Sequence, residues 1–119
     1  MYDHTIDSLP FNNTKFHWKK LGIAGRNKSN NLLKNMEELI IENGHFSEKN
    51  MILKIDVEHA EWESLRDLPN KYIRQFKYIL IEFHFRDERV LNESLLYYDV
   101  MRKIKFIKFF IFFAKIDIK

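Results

Sequence analysis

With 119 residues, 45% hydrophobic and 15% aromatic, the chain has material for one globular core, which excludes a disordered or low-complexity protein. It holds no cysteine, which excludes disulfide frameworks and thiolate metal sites. The net charge of +3 is concentrated at one end: residues 103–119 carry five lysines and one aspartate, and the other 102 residues hold 15 basic and 16 acidic side chains. A nearly neutral body of this kind lacks the basic face that a nucleic-acid binder presents.

No stretch reaches the roughly 18 uncharged apolar residues of a membrane helix. The opening MYDHTIDSLP lacks the basic and apolar layout of a signal peptide, so the expectation is a cytoplasmic protein without a membrane span. Residues 1–5 read as the end of a strand running into a turn, and residues 6–13 as a loop stopped by Pro10 and the Asn12-Asn13 pair. Residues 16–24 have strand-like aromatics and end at Gly25, and a polar loop follows. Residues 31–43 carry Leu32, Leu33, Met36, Leu39 and Ile40 on one helical face, with Ser29, Asn30 or Asn31 to cap the start and Gly44 at the favoured position beyond the end.

The central stretch is MILKIDVEHAEW, residues 51–62. Its apolar opening predicts a parallel strand covered on both faces, with Lys54 an oddity inside it. Three carboxylates, Asp56, Glu58 and Glu61, follow where the strand should end, the position of ligand crevices in open α/β sheets. Glu58 and Glu61, three apart, share a face of the helix expected over residues 58–68, packed through Ala60, Trp62 and Leu65 and ended by Pro69. Equally, both acids could simply complement the helix macrodipole. Residues 71–76 offer another helical turn, and YILIEFHF, residues 78–85, a second strand with Glu82 and His84 on one side. The two strand ends should be neighbours.

Asp87 can cap a helix to about residue 104, with Val90, Leu91, Leu95, Tyr98 and Met101 as its buried stripe. Residues 106–119, FIKFFIFFAKIDIK, read either as an edge strand guarded by lysines, together with Lys105, or as a segment whose normal partners are missing. Alternating strands and helices predict an α/β fold with a mostly parallel sheet and right-handed crossovers. Residues 1–104 make its domain and residues 105–119 an atypical tail.

The decapeptide LKIDVEHAEW at residues 53–62, the IEFH at residues 81–84 and the YDHT at residues 2–5 resemble the FkbM-like S-adenosylmethionine-dependent methyltransferases, over about residues 1–100. The resemblance implies a Rossmann-like sheet, S-adenosylmethionine as cofactor and methyl transfer, commonly to oxygen, with a small-molecule or glycan-like acceptor. It implies that Asp3 bonds the cofactor ribose, and that Asp56, Glu58, Glu61, Glu82 and His84 line the substrate side, where His84 or a carboxylate serves as general base. A divalent metal is compatible with these ligands but not implied. Three features depart from the family pattern. Gly22, Gly25 and Gly44 form no glycine-rich strand-to-helix turn; His59 stands where the family has glycine, at a cost of about 1 kcal/mol if the position needs a positive φ; and the C-terminal stretch is unlike the family's closing strands. These departures predict an incomplete Rossmann-like domain, inactive by itself and prone to self-association.

Alternatives from other classes stay open: a small binding module using the acidic and histidine crevice for a metal or polar ligand, or an inactive remnant associating through its sheet edge. His84, between two phenylalanines, also reads as a partly buried histidine bonded to a carbonyl. Trp18 and Trp62 read as packing residues. His4, His17 and His45 show no metal-ligand spacing.

Overall fold

The computed structural model describes residues 1–86, 90–105 and 110–117. Three long strands organise it: β3 (Met51–Ile55), β4 (Phe76–Arg86) and β5 (Phe110–Asp117) form one sheet in the order β3-β4-β5, with parallel pairing throughout. Ile55 lies opposite Ile81, which makes the ends of the two sequence-expected strands neighbours. Before them, β1 (Gly22–Ile23) and β2 (Leu33–Lys34) make a separate two-residue parallel pair, and Tyr2 bridges to Lys19 in the same sense. The helices are α1 (Met36–Glu42), α2 (Ala60–Asp67), α3 (Asn70–Ile73) and α4 (Val90–Ile104).

Parallel strands require crossovers, and α2 with α3 connects β3 to β4 while α4 leads from β4 towards β5. The core lies on the helical side of the sheet. Ile55, Ile79, Ile81 and Phe83 meet Trp62, Leu65, Leu68, Tyr97, Val100 and Ile104 there. Trp62 is the centre: fully buried, it stacks on Phe83 at 4.2 Å and lies 4.3 Å from Tyr97. Lys103 ties α4 to the end of α2 by donating to the Arg66 carbonyl at 2.7 Å and to the Leu68 carbonyl, so it satisfies carbonyls that a helix end leaves open.

Several expectations are corrected. The second sheet face is open at its start, where Ile52 and Tyr78 are exposed on it. Burial in β3 therefore alternates along the strand, and Lys54 is not buried: it projects from the open face. Helix 31–43 is shorter than its apolar pattern. The Asn30 side chain accepts from the backbone N–H groups of Leu32 and Leu33 at 2.8 and 2.9 Å, a local turn that diverts the chain into β2. The cap of α1 is then Asn35, in a reciprocal pair with Glu38 at 3.0 Å each way. Gly44 follows as expected, at φ 72°. Residues 16–24 contribute only the Lys19 bridge and β1.

The stripe expected for α4 is displaced as well. Leu95, Tyr98 and Met101 are exposed, and Tyr97, Val100 and Ile104 are buried, because the ring of Tyr97 is the one that reaches Trp62. Of the two readings of the C-terminal stretch, Phe110–Asp117 takes the edge-strand position beside β4. The Asp87 cap and Lys108 lie outside the described residues, as do the side chains of Val90, Leu91 and Lys115. No helix among the described residues is long and apolar enough to cross a membrane.

Candidate functional site

The turn after β3 sets the site. Asp56 leaves the strand, and the chain then passes through two successive left-handed residues, Glu58 at φ 49° and His59 at φ 85°, before α2 begins. Glu58 therefore precedes the helix and does not share a helical face with Glu61, which corrects the spacing argument. His59 does occupy the glycine-like conformation that its departure from the resembled pattern implied, at a cost of about 1–2 kcal/mol. Its ring offsets that cost through contacts: Nδ1 lies 3.1 Å from the His84 carbonyl oxygen, Nε2 lies 2.7 Å from Glu93 Oε2, and the ring meets Tyr97 edge-on.

His84, on β4, is held at three points by the elements that follow β3. Its backbone N–H donates to Glu61 Oε1 at 2.7 Å, its carbonyl accepts from the Trp62 indole at 2.9 Å, and its ring Nδ1 lies 3.3 Å from Glu61 Oε1. Glu61 and His84 are both buried, at 0% and 1% exposed. The other ring nitrogen, Nε2, is directed at Asp56 Oδ1 at 3.7 Å and at Glu58 Oε1 and Glu82 Oε1, both at 3.9 Å. Parallel register accounts for the gathering: Ile55 opposite Ile81 puts Asp56 beside Glu82, and the two-residue strand period adds His84.

A cleft of about 570 Å³ opens beside this cluster, a size suited to a small-molecule ligand. Asp56, Glu58 and His59 line one side and Asp3 another. Glu82, His84 and Glu61 are not on its wall; Glu61, with no exposed surface, stands behind His84. The Thr5 hydroxyl and then its backbone N–H, both donating to Asp3 Oδ1 at 2.6 and 2.8 Å, hold the Asp3 carboxyl below the ordinary carboxylate range. Lys28 also lines the cleft and pairs with Glu63 at 2.8 Å.

The five acids and His84 were legible as candidates; His59 as a contact residue and Glu93 were not. Glu93 had no signal, since an acid on an amphipathic helix is ordinarily a solvated one. Trp62 was read as packing, which it is, and its indole N–H additionally fixes the strand end.

Acids gathered at the carboxyl ends of parallel strands beside a cleft form the layout in which open α/β sheets place their ligand crevices. The profile of a family described as "Methyltransferase domain" matches residues 2–115, and the chain belongs to that family. No curated protein and no solved structure matches it.

Proposed function

We propose that the domain serves S-adenosylmethionine-dependent methyl transfer to an oxygen acceptor, in the manner of the FkbM-like branch and on a Rossmann-like frame. The observation that carries this reading is that Asp3 and the Asp56–Glu58 turn face one cleft. S-adenosylmethionine, when bound, supplies a methyl group activated on a sulfonium. The residues present fit part of that molecule. Asp3 offers a carboxylate to the ribose hydroxyls, and the acidic wall of Asp56 and Glu58 complements a cationic sulfonium. On the acceptor side, Asp56 or Glu58 takes the proton that a hydroxyl must lose as oxygen acquires the methyl group. His84 stands behind these carboxylates, away from the cleft wall.

A charge-assisted hydrogen bond donated by a ribose hydroxyl to Asp3 contributes about 1.5–3 kcal/mol before ordering costs, against the roughly 8 kcal/mol of micromolar binding. Moreover, Asp3 Oδ1 already accepts two bonds from Thr5. This chain by itself should therefore bind the cofactor more weakly than about 100 μM and show no turnover. Calorimetry and NMR with S-adenosylmethionine and S-adenosylhomocysteine test both parts. Millimolar ligand should shift amide resonances around Asp3 and Asp56; no shift at either place overturns the cofactor reading. Micromolar binding abolished by Asp3→Ala would keep the cofactor but overturn the expectation of weakness.

A further inference from the structure

The ring of His84 presents a problem that the cofactor reading leaves unsolved. A carboxylate only accepts hydrogen bonds, so the Nδ1 facing Glu61 carries the proton in the neutral ring. The lone pair of Nε2 is then left pointing at three further carboxylates, and Nε2 is buried with no hydrogen-bond partner among the described residues. Acceptors facing acceptors, one of them buried, is an arrangement completed by a positive ion between them.

We propose that Asp56, Glu82 and His84 form a binding site for one divalent first-row transition ion. One ligand atom from each lies within 4.8 Å of the others. Metal–ligand bonds near 2.1 Å in a tetrahedral set place neighbouring ligand atoms about 3.4 Å apart. The observed 3.7 Å from Nε2 to Asp56 and 3.9 Å to Glu82 close to that by small rotations of two partly exposed carboxylates. One imidazole with two carboxylates selects Zn²⁺ or Mn²⁺ over Ca²⁺ and Mg²⁺, which prefer all-oxygen shells. Glu61 supplies the outer carboxylate that fixes the tautomer and ring direction of a metal-binding histidine, and its complete burial makes that orientation rigid. Glu58, at 3.9 Å from Nε2, stands within reach of a fourth position.

The site stands independently of the cofactor, so its test uses metal ions alone. The unmodified chain, stripped with chelator, is titrated with Zn²⁺ by calorimetry and with Mn²⁺ by electron paramagnetic resonance and NMR. The expected result is one saturable ion per chain, with Mn²⁺ broadening centred on Asp56, Glu82 and His84. Asp56→Asn and Glu82→Gln, at exposed and half-buried positions outside the apolar core, should each weaken binding at least tenfold. Glu61→Gln keeps all three ligands and should weaken it about 10–100-fold as a positioning change, with the Nδ1 proton resonance of His84 displaced. Binding absent below about 1 mM, or broadening centred elsewhere such as at His4 or His17, overturns the proposal. So does affinity unchanged in both Asp56→Asn and Glu82→Gln.

Discussion

Replacing His59 by alanine and by glycine separates two opposed contributions at one backbone position. Both variants lose the ring, and with it the bond to the His84 carbonyl at 3.1 Å, the contact with Glu93 at 2.7 Å and the edge-on packing against Tyr97. A neutral hydrogen bond contributes about 0.5–1.5 kcal/mol and one to a charged group about 1.5–3, so His59→Ala should cost about 2–4 kcal/mol. Alanine retains the strain of φ 85°, whereas glycine relieves about 1–2 kcal/mol of it and loses about 0.4–1 kcal/mol to the greater freedom of its unfolded chain. His59→Gly should therefore be the more stable of the two by roughly 0.5–1 kcal/mol. Urea unfolding followed by tryptophan fluorescence, with the buried Trp62 as reporter, measures this. At about 1–3 kcal/mol per molar urea, the glycine variant's midpoint should lie roughly 0.2–1 M above the alanine variant's. Equal midpoints, or a lower one for glycine, would refute the strain argument and with it the account of why this turn favours glycine.

Trp62→Phe retains most of the packing against Phe83 and removes the bond to the His84 carbonyl, which His59 still supports. Its expected cost is about 1 kcal/mol, against about 3–5 for Trp62→Ala, both read by urea unfolding followed by circular dichroism. Asp67 governs part of the acid limb. Burial raises its pKa, but hydrogen bonds from the Arg66 side chain and the Arg26 backbone N–H outweigh that and hold it below the ordinary carboxylate range. A folded pKa below the unfolded one means stabilisation that is complete above about pH 4 and is lost as pH falls through the depressed folded value. Asp67→Asn should thus lower stability at neutral pH by on the order of 1 kcal/mol and flatten the loss below pH 4 in acid unfolding curves; an unchanged acid limb would remove Asp67 from the account.

Much of the fold was legible because periodicity reports burial where one element dominates its surroundings. The apolar runs at residues 51–55 and 78–85 identify neighbouring parallel strands, and the alternation of elements identifies the α/β class. Periodicity fails where two faces are equally apolar. Helix α4 offers Leu95, Tyr98 and Met101 on one side and Tyr97, Val100 and Ile104 on another, and only the position of Trp62 selects between them. It fails again where a polar side chain competes with the helix: nothing in the spacing of Leu32 and Leu33 discloses that Asn30 will capture their N–H groups. Lys54 looked anomalous only on the assumption that a parallel strand is covered on both faces.

The site shows the same boundary more sharply. Sequence placed Asp56, Glu58, Glu61, Glu82 and His84 in one region but treated the acids as equivalent, because helical spacing assigned Glu58 and Glu61 the same face. The left-handed pair Glu58-His59 breaks that equivalence. It leaves Glu58 on the cleft wall and lets α2 begin two residues later than its expected start, which turns Glu61 inward beneath β4. An acid that could have been a solvent-exposed complement to a helix dipole becomes a buried acceptor for the backbone and ring of His84. Burying Glu61 orients one histidine nitrogen, and that orientation obliges the other to face Asp56 and Glu82. The division of labour among four carboxylates thus follows from two backbone dihedral angles. Residue type alone does not carry that information, since a histidine at position 59 ordinarily avoids the conformation it adopts here.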